Sequence, residues 1–171
     1  AVTFSPLDEE CILFPSKQIF PTQTLRTDEK FFAQVDRHPQ KVAVVFNQQS
    51  LTYHQLGQKV LALAGFLQAK GIGPNSIIAI CLHRSPDLVT SLLAVMHVGA
   101  TYVPLDPDHP KSRIDQILED ADPEYVLTQR SLRCKFQEAR RPEPLYLDEE
   151  DWQSSKPAML PESGISPDLA Y

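Results

Sequence analysis

The side chains best suited to proton transfer are Asp106, Asp108 and His109, in the run Asp106-Pro107-Asp108-His109. Two carboxylates beside an imidazole make an acid–base set wherever a substrate reaches them. The neighbouring residues point elsewhere. Pro104, Pro107 and Pro110 fix φ along the whole corner. An Asp in a tight turn accepts a hydrogen bond from backbone two residues on. His109 precedes Pro110, which suits the first position of a helix. The expected role of Asp106 and Asp108 is to tie backbone N–H groups into a rigid corner, and no catalytic role is assigned to them.

Other reactive residue types also lack a supporting pattern. The five histidines, His38, His54, His83, His97 and His109, never stand at i, i+4, so a helical metal pair is not expected. The three cysteines, Cys11, Cys81 and Cys134, are odd in number and far apart, which argues against a disulfide framework or zinc site and fits a reducing cytoplasm. Cys81, inside an apolar run, reads as a small buried hydrophobe. No serine occupies Gly-x-Ser-x-Gly, so a hydrolase elbow is unsupported. The six glycines, Gly57, Gly65, Gly71, Gly73, Gly99 and Gly164, form neither Gly-x-x-x-x-Gly-Lys nor a complete Gly-x-Gly-x-x-Gly. Gly71-Ile72-Gly73-Pro74 reads as a helix end followed by a turn. Without clustered backbone N–H donors there is no cradle for a triphosphate. No residue is assigned a catalytic, substrate-binding, cofactor-binding or metal-binding role.

The elements that position these residues alternate between the two periods. Asp28 to Arg37 reads as a short helix with Phe31, Phe32 and Val35 inward, ended at His38-Pro39. Val42 to Phe46 and Leu51-Thr52 read as short strands about a polar turn. Leu56, Val60, Leu63, Ala64 and Leu67 make the apolar stripe of a helix over Tyr53 to Lys70, with Thr52 as N-cap. Tyr53 is expected to pack at the strand–helix junction. Ser76 to Leu82 is almost wholly apolar, the pattern of a strand buried on both faces of a parallel sheet. Ser85 and Pro86 open a helix to Val98, and Gly99 ends it. Thr101–Val103, Tyr125–Thr128 and Leu145–Leu147 read as strands, and Pro110–Ala121 as a helix with Ile114, Ile117, Leu118 and Ala121 inward. The expected class is α/β: βαβ units with right-handed crossovers and a largely parallel sheet.

Composition bounds the function. The 171 residues suit one domain, and a chain of this size can bury about 70% of its unfolded surface. A net charge of −6 offers no basic face for nucleic acid. The local cluster Arg130, Arg133, Lys135, Arg140 and Arg141 is expected to be a solvated helix face with cations near its C-terminus. The acidic run Asp148 to Asp151 is expected to be a solvated loop. Trp152 lies in a polar tail, where it either covers a neighbouring domain or does not. No stretch reaches the ~18 apolar residues of a membrane span, and no charged-then-apolar leader opens the chain. A cytoplasmic protein without membrane contact is expected.

Residues 96–107, Met-His-Val-Gly-Ala-Thr-Tyr-Val-Pro-Leu-Asp-Pro, resemble the second core motif of the adenylation domains of nonribosomal peptide synthetases. That family usually reads Leu-Lys-Ala-Gly-x-Ala-Tyr-Val-Pro-Leu-Asp-Pro. Thr101 stands for the usual Ala, His97 for Lys and Val98 for Ala; the two changes before Gly99 fall at a helix end that should tolerate them. Leu51-Thr52-Tyr53-His54-Gln55-Leu56 is similar to the first core motif, with Gln55 where Glu is common. Arg84-Ser85, Pro110, Arg113 and Leu118-Glu119-Asp120-Ala121 add to the match.

The resemblance implies the first part of the large N-terminal subdomain of an adenylate-forming enzyme. Residues 1–27 would be an arm or linker, and 28–171 an incomplete subdomain ending before the phosphate-binding loop. Asp168-Leu169-Ala170-Tyr171 is similar to the start of the strand leading to that loop. Such a domain, when complete, joins an amino acid or related carboxylic acid to ATP with Mg²⁺. It then loads the acyl group onto a carrier-protein phosphopantetheine thiol. Implied partners are the remainder of the domain, the carrier protein, and an upstream condensation domain or a small accessory activator protein. The segment alone is expected to be inactive and to hold no cofactor. An acyl-CoA ligase-like enzyme and a non-catalytic module retaining only the scaffold are the alternative readings.

Overall fold

The computed structural model describes residues 26–136 and 142–158. Helix α1 (Thr27–Arg37) begins where the Glu29 carboxylate accepts the Arg26 N–H at 2.8 Å. Strands β1 (Val42–Phe46) and β2 (Gln49–Thr52) form an antiparallel hairpin turning on Asn47, which adopts φ 53°. Helix α2 (Tyr53–Ala69) opens with a reciprocal cap: Thr52 Oγ1 accepts the Gln55 N–H at 3.2 Å, and Gln55 Oε1 accepts the Thr52 N–H at 2.9 Å. Its stripe Leu56, Val60, Leu63, Ala64 and Leu67 is buried as the spacing predicts. Gly71 leaves the helix at φ 82°.

The remainder builds the parallel sheet. Strand β3 (Ile77–Ile80) leads to α3 (Pro86–His97), where Ser85 Oγ accepts the Leu88 N–H at 3.3 Å and Pro86 occupies the first turn. Gly99, at φ 79°, supplies the left-handed residue that turns α3 into β4 (Thr101–Pro104). Helix α4 (Lys111–Ala121), strand β5 (Tyr125–Thr128), a 3₁₀ turn (Arg130–Lys135), strand β6 (Glu143–Tyr146) and a second 3₁₀ turn (Trp152–Ser154) follow.

The strand order is β4-β3-β5-β6, with all pairs parallel. Side chains alternate across the sheet. Ile78, Ile80, Leu127 and Leu145 join the core beneath α2 and α3, whereas Ala79, Cys81 and Val126 join Ile114 and Leu118 of α4. This two-sided burial is why β3 is apolar throughout. Both outer strands carry a proline, Pro104 on β4 and Pro144 on β6; a residue without an N–H is tolerated at a sheet edge.

Several boundaries differ from the sequence reading. The helix expected from Pro110 starts at Lys111: Pro110 keeps an extended ψ of 148°, and its carbonyl accepts the first N–H groups, from Arg113 and Ile114. It is the residue before the helix, not the first within it. The last strand covers Glu143–Tyr146, not Leu145–Leu147. Cys11, Arg140, Arg141, Gly164 and the run Asp168–Tyr171 lie outside the described residues.

Candidate functional site

In open parallel sheets, ligands bind beyond the carboxyl ends of the strands, where neighbouring connections diverge. Here that point lies between β3 and β5: β3 leads into α3 on one face, and β5 leads toward the Leu132 and Phe136 cluster on the other. His83 and Arg84 stand exposed on the first loop, and Arg130 is exposed on the second.

The proline corner lies at the same end of the sheet, after β4. Asp106 Oδ1 accepts the Asp108 N–H at 2.9 Å, and the Asp106 carbonyl accepts the His109 N–H at 3.1 Å. The Asp106 carboxylate makes the turn bond expected from the sequence, whereas Asp108 enters the corner through its N–H. His109 Nε2 lies 4.0 Å from Asp106 Oδ2, with both side chains about half exposed, so they form no tight acid–base pair. Lys135 reaches across from the 3₁₀ turn and donates to the His109 carbonyl at 2.7 Å. Beneath the corner, Cys81 is fully buried. Burial pushes its thiol up to about 11; Lys135 pulls it down and Asp106 pushes it up, both by smaller amounts. The Cys81 thiol therefore stays protonated at neutral pH.

As expected, Arg133 and Lys135 close a short helical turn and Asp148 and Glu149 stay exposed, and the two runs also meet each other. Both Asp148 carboxylate oxygens accept the Arg130 N–H, at 2.9 and 3.0 Å. Glu149 pairs with Arg130 and Arg133, and the Arg133 guanidinium stacks 4.8 Å over the Tyr146 ring. Eighteen residues separate Arg130 from Asp148, so only the adjacency of β5 and β6 brings the runs together. The acidic charges also neutralise what would otherwise be a basic patch.

Two buried features had no local signal. His97 sits at the end of α3, a helix end where the sequence reading expects substitutions to be tolerated. Its side chain is 2% exposed, and Nδ1 lies 3.2 Å from Asp28 Oδ2. A carboxylate only accepts, so Nδ1 carries the hydrogen. Arg26 Nε lies 3.1 Å from the other Asp28 oxygen, and the Arg26 guanidinium donates to the Met96 carbonyl. The Phe32 ring covers His97 at 5.0 Å between centroids. This cluster ties α1 to the end of α3. Trp152, which the sequence leaves undecided, is the second: it is 1% exposed and fills this chain's own core, with Nε1–H donating to the Leu147 carbonyl at 2.8 Å. Tyr53 packs 6.1 Å from Phe31 at the strand–helix junction, as expected.

Among the described residues, no three His, Cys, Asp or Glu side chains converge as metal ligands, and no helix is long and apolar enough to cross a membrane. The sequence carries neither Gly-x-x-x-x-Gly-Lys nor a complete Gly-x-Gly-x-x-Gly.

A parallel sheet covered on both faces, with polar loops at its carboxyl edge, is an open α/β scaffold of the kind that binds ligands at that edge. The AMP-binding enzyme family matches residues 31–166, and the chain belongs to that family. Tyrocidine synthase 3 of Brevibacillus parabrevis is 38% identical over 143 residues, covering 82% of this chain and 2% of that protein. The nonribosomal peptide synthetase FmoA3, solved with alpha-methyl-L-serine-AMP bound, superposes with a TM-score of 0.73 at 27% identity, over 80% of this chain and 15% of that one. NpsA-ThdA of Klebsiella oxytoca, an artificially fused adenylation-PCP di-domain, matches with a TM-score of 0.59 at 33% identity, over 60% of this chain and 20% of that one. The chain thus spans from 2% to 20% of the length of these proteins. The resemblance drawn from the core motifs, to a nonribosomal peptide synthetase adenylation domain with an α/β fold, holds.

Proposed function

We propose that this chain is scaffold from the N-terminal subdomain of an adenylation domain that activates an amino acid. That domain would join the carboxylate to ATP, releasing pyrophosphate, and pass the acyl group to a carrier-protein phosphopantetheine thiol. The observation that carries this is the superposition of 80% of the chain on FmoA3, which was solved with alpha-methyl-L-serine-AMP bound. The artificially fused carrier domain on NpsA supports a carrier partner. An upstream condensation domain, an accessory activator, Mg²⁺ and a cytoplasmic location follow from the same reading.

The physical problem in such a reaction is charge. Carboxylate and triphosphate repel, so cations and backbone donors must neutralise them as they meet. We assign none of that work to residues of this chain. Residues 28–171 would contribute the sheet and helices that hold such groups in place, with residues 1–27 as an arm. ATP–pyrophosphate exchange tests the reading, using the adenylation domain that contains this chain and panels of amino, aryl and fatty acids. Exchange with amino acids supports it. Exchange only with fatty acids would reassign the chain to an acyl-CoA ligase-like enzyme, and none at all would leave a non-catalytic scaffold.

A further inference from the structure

Residues 147–158 leave the carboxyl end of β6 and cross α2 as a strap. Trp152 anchors it in the core, with Lys59 of α2 6.0 Å above its ring. Farther on, the Ala158 N–H donates to the Leu61 carbonyl, in the middle of α2, at 3.1 Å. A carbonyl inside a helix already serves the N–H four residues ahead, here that of Gly65, so the strap takes its second lone pair. A side chain at the i+4 position normally lies over that carbonyl. Gly65 carries none. A Cβ there would lie 1.9 Å from the Lys156 carbonyl oxygen and 3.2 Å from the Ala158 nitrogen. Glycine is a weak helix former, and Gly65 stands well inside a 17-residue helix, so its helical cost is matched by the seat it opens. Pro157 restricts the backbone between the two contact points.

We propose that Gly65 is a positioning residue. The notch it leaves in α2 seats residues 156–158, and this seat fixes the point on α2 from which the chain continues past Ala158. The consequence for nucleotide binding rests on the adenylation reading, in which the segment after 158 leads to the phosphate loop.

Gly65→Ala adds only the Cβ and favours the helix. In the 171-residue chain, the Ala158 amide should exchange at least tenfold faster and Trp152 emission should shift to the red. The amides of Leu63 and Leu67 should stay protected. Unchanged Ala158 protection would overturn the seat. Ala158→Pro removes the donor without touching α2 and should give the same Trp152 shift; no shift would count equally against it. In the adenylation domain containing the chain, Gly65→Ala should raise the KM for ATP about tenfold, with kcat and the KM for the acid changing less than twofold. A loosened strap with an unchanged KM for ATP would overturn the positioning role. A wild-type domain inactive with every acid would refute the adenylation reading, and the nucleotide half of the proposal with it. The seat would still stand or fall on amide exchange.

Discussion

Asp28–His97 and Asp106–His109 pair the same two side chains, at 3.2 and 4.0 Å. The first pair is 3% and 2% exposed, and the second 54% and 45%. The conspicuous pair, three residues apart in a proline-rich run, is a surface turn. The inconspicuous pair, 69 residues apart, is a buried joint between α1 and α3. Burial, not residue type, decides what such a pair does: water screens the exposed one, while the covered one must satisfy its own charges.

The largest test of this contrast is Asp28→Ala. Removing one partner of a buried charged cluster typically costs about 3–5 kcal/mol, and the substitution leaves both Arg26 and His97 facing a gap. Urea denaturation should show a loss in that range; a loss below about 1 kcal/mol would make the buried pair no different from the exposed one.

Acid titration sharpens the same point. Burial pushes the Asp28 carboxyl up, but the His97 hydrogen bond, with the charges of Arg26 and His97, outweighs it and holds the group below its ordinary value. A carboxylate depressed in the folded state stabilises the protein above the ordinary carboxylate pKa of about 3.9. That contribution is lost as pH falls from there through the folded-state value. Stability measured across this range should decline more steeply in the wild type than in Asp28→Asn; equal slopes would remove Asp28 as the cause.

At the exposed corner, Asp106→Ala should cost about 1 kcal/mol through the lost turn bond, comparable to losing a helix cap. Turnover of the complete domain should be unchanged. Unaltered melting with abolished turnover would reverse the structural reading of the corner. His109→Ala should be smaller still, within about 0.5 kcal/mol; a larger loss in thermal melting would show that the exposed pair has an energetic role its 4.0 Å separation does not account for.

What could be read along the chain was whatever local chemistry determines. Ser85 and Thr52 cap helices because a hydroxyl reaches N–H groups three residues on. Gly71 and Gly99 take positive φ because a Cβ disfavours it. The stripe of α2 and the apolar run of β3 fixed which faces are covered. Pro110 lies one residue before the helix position its spacing predicts, since both the cap position and the first turn accept proline's φ and only ψ separates them. Trp152 looked like part of a polar tail because its neighbours Asp151, Gln153 and Ser154 are polar; α2, nearly a hundred residues earlier, supplies its surroundings.

The amino-acid sequence by itself determined the order of elements, the two-faced burial of the central strands, the rigid corner after β4 and the family, because capping, periodicity and turn chemistry act within a few residues. Tertiary structure alone decided that Asp28 meets His97, that Asp148 and Glu149 meet the arginines, and that a glycine in α2 receives the strap. Those contacts join positions between 16 and 93 residues apart, and at that range adjacency is set by how the strands are ordered and the helices packed.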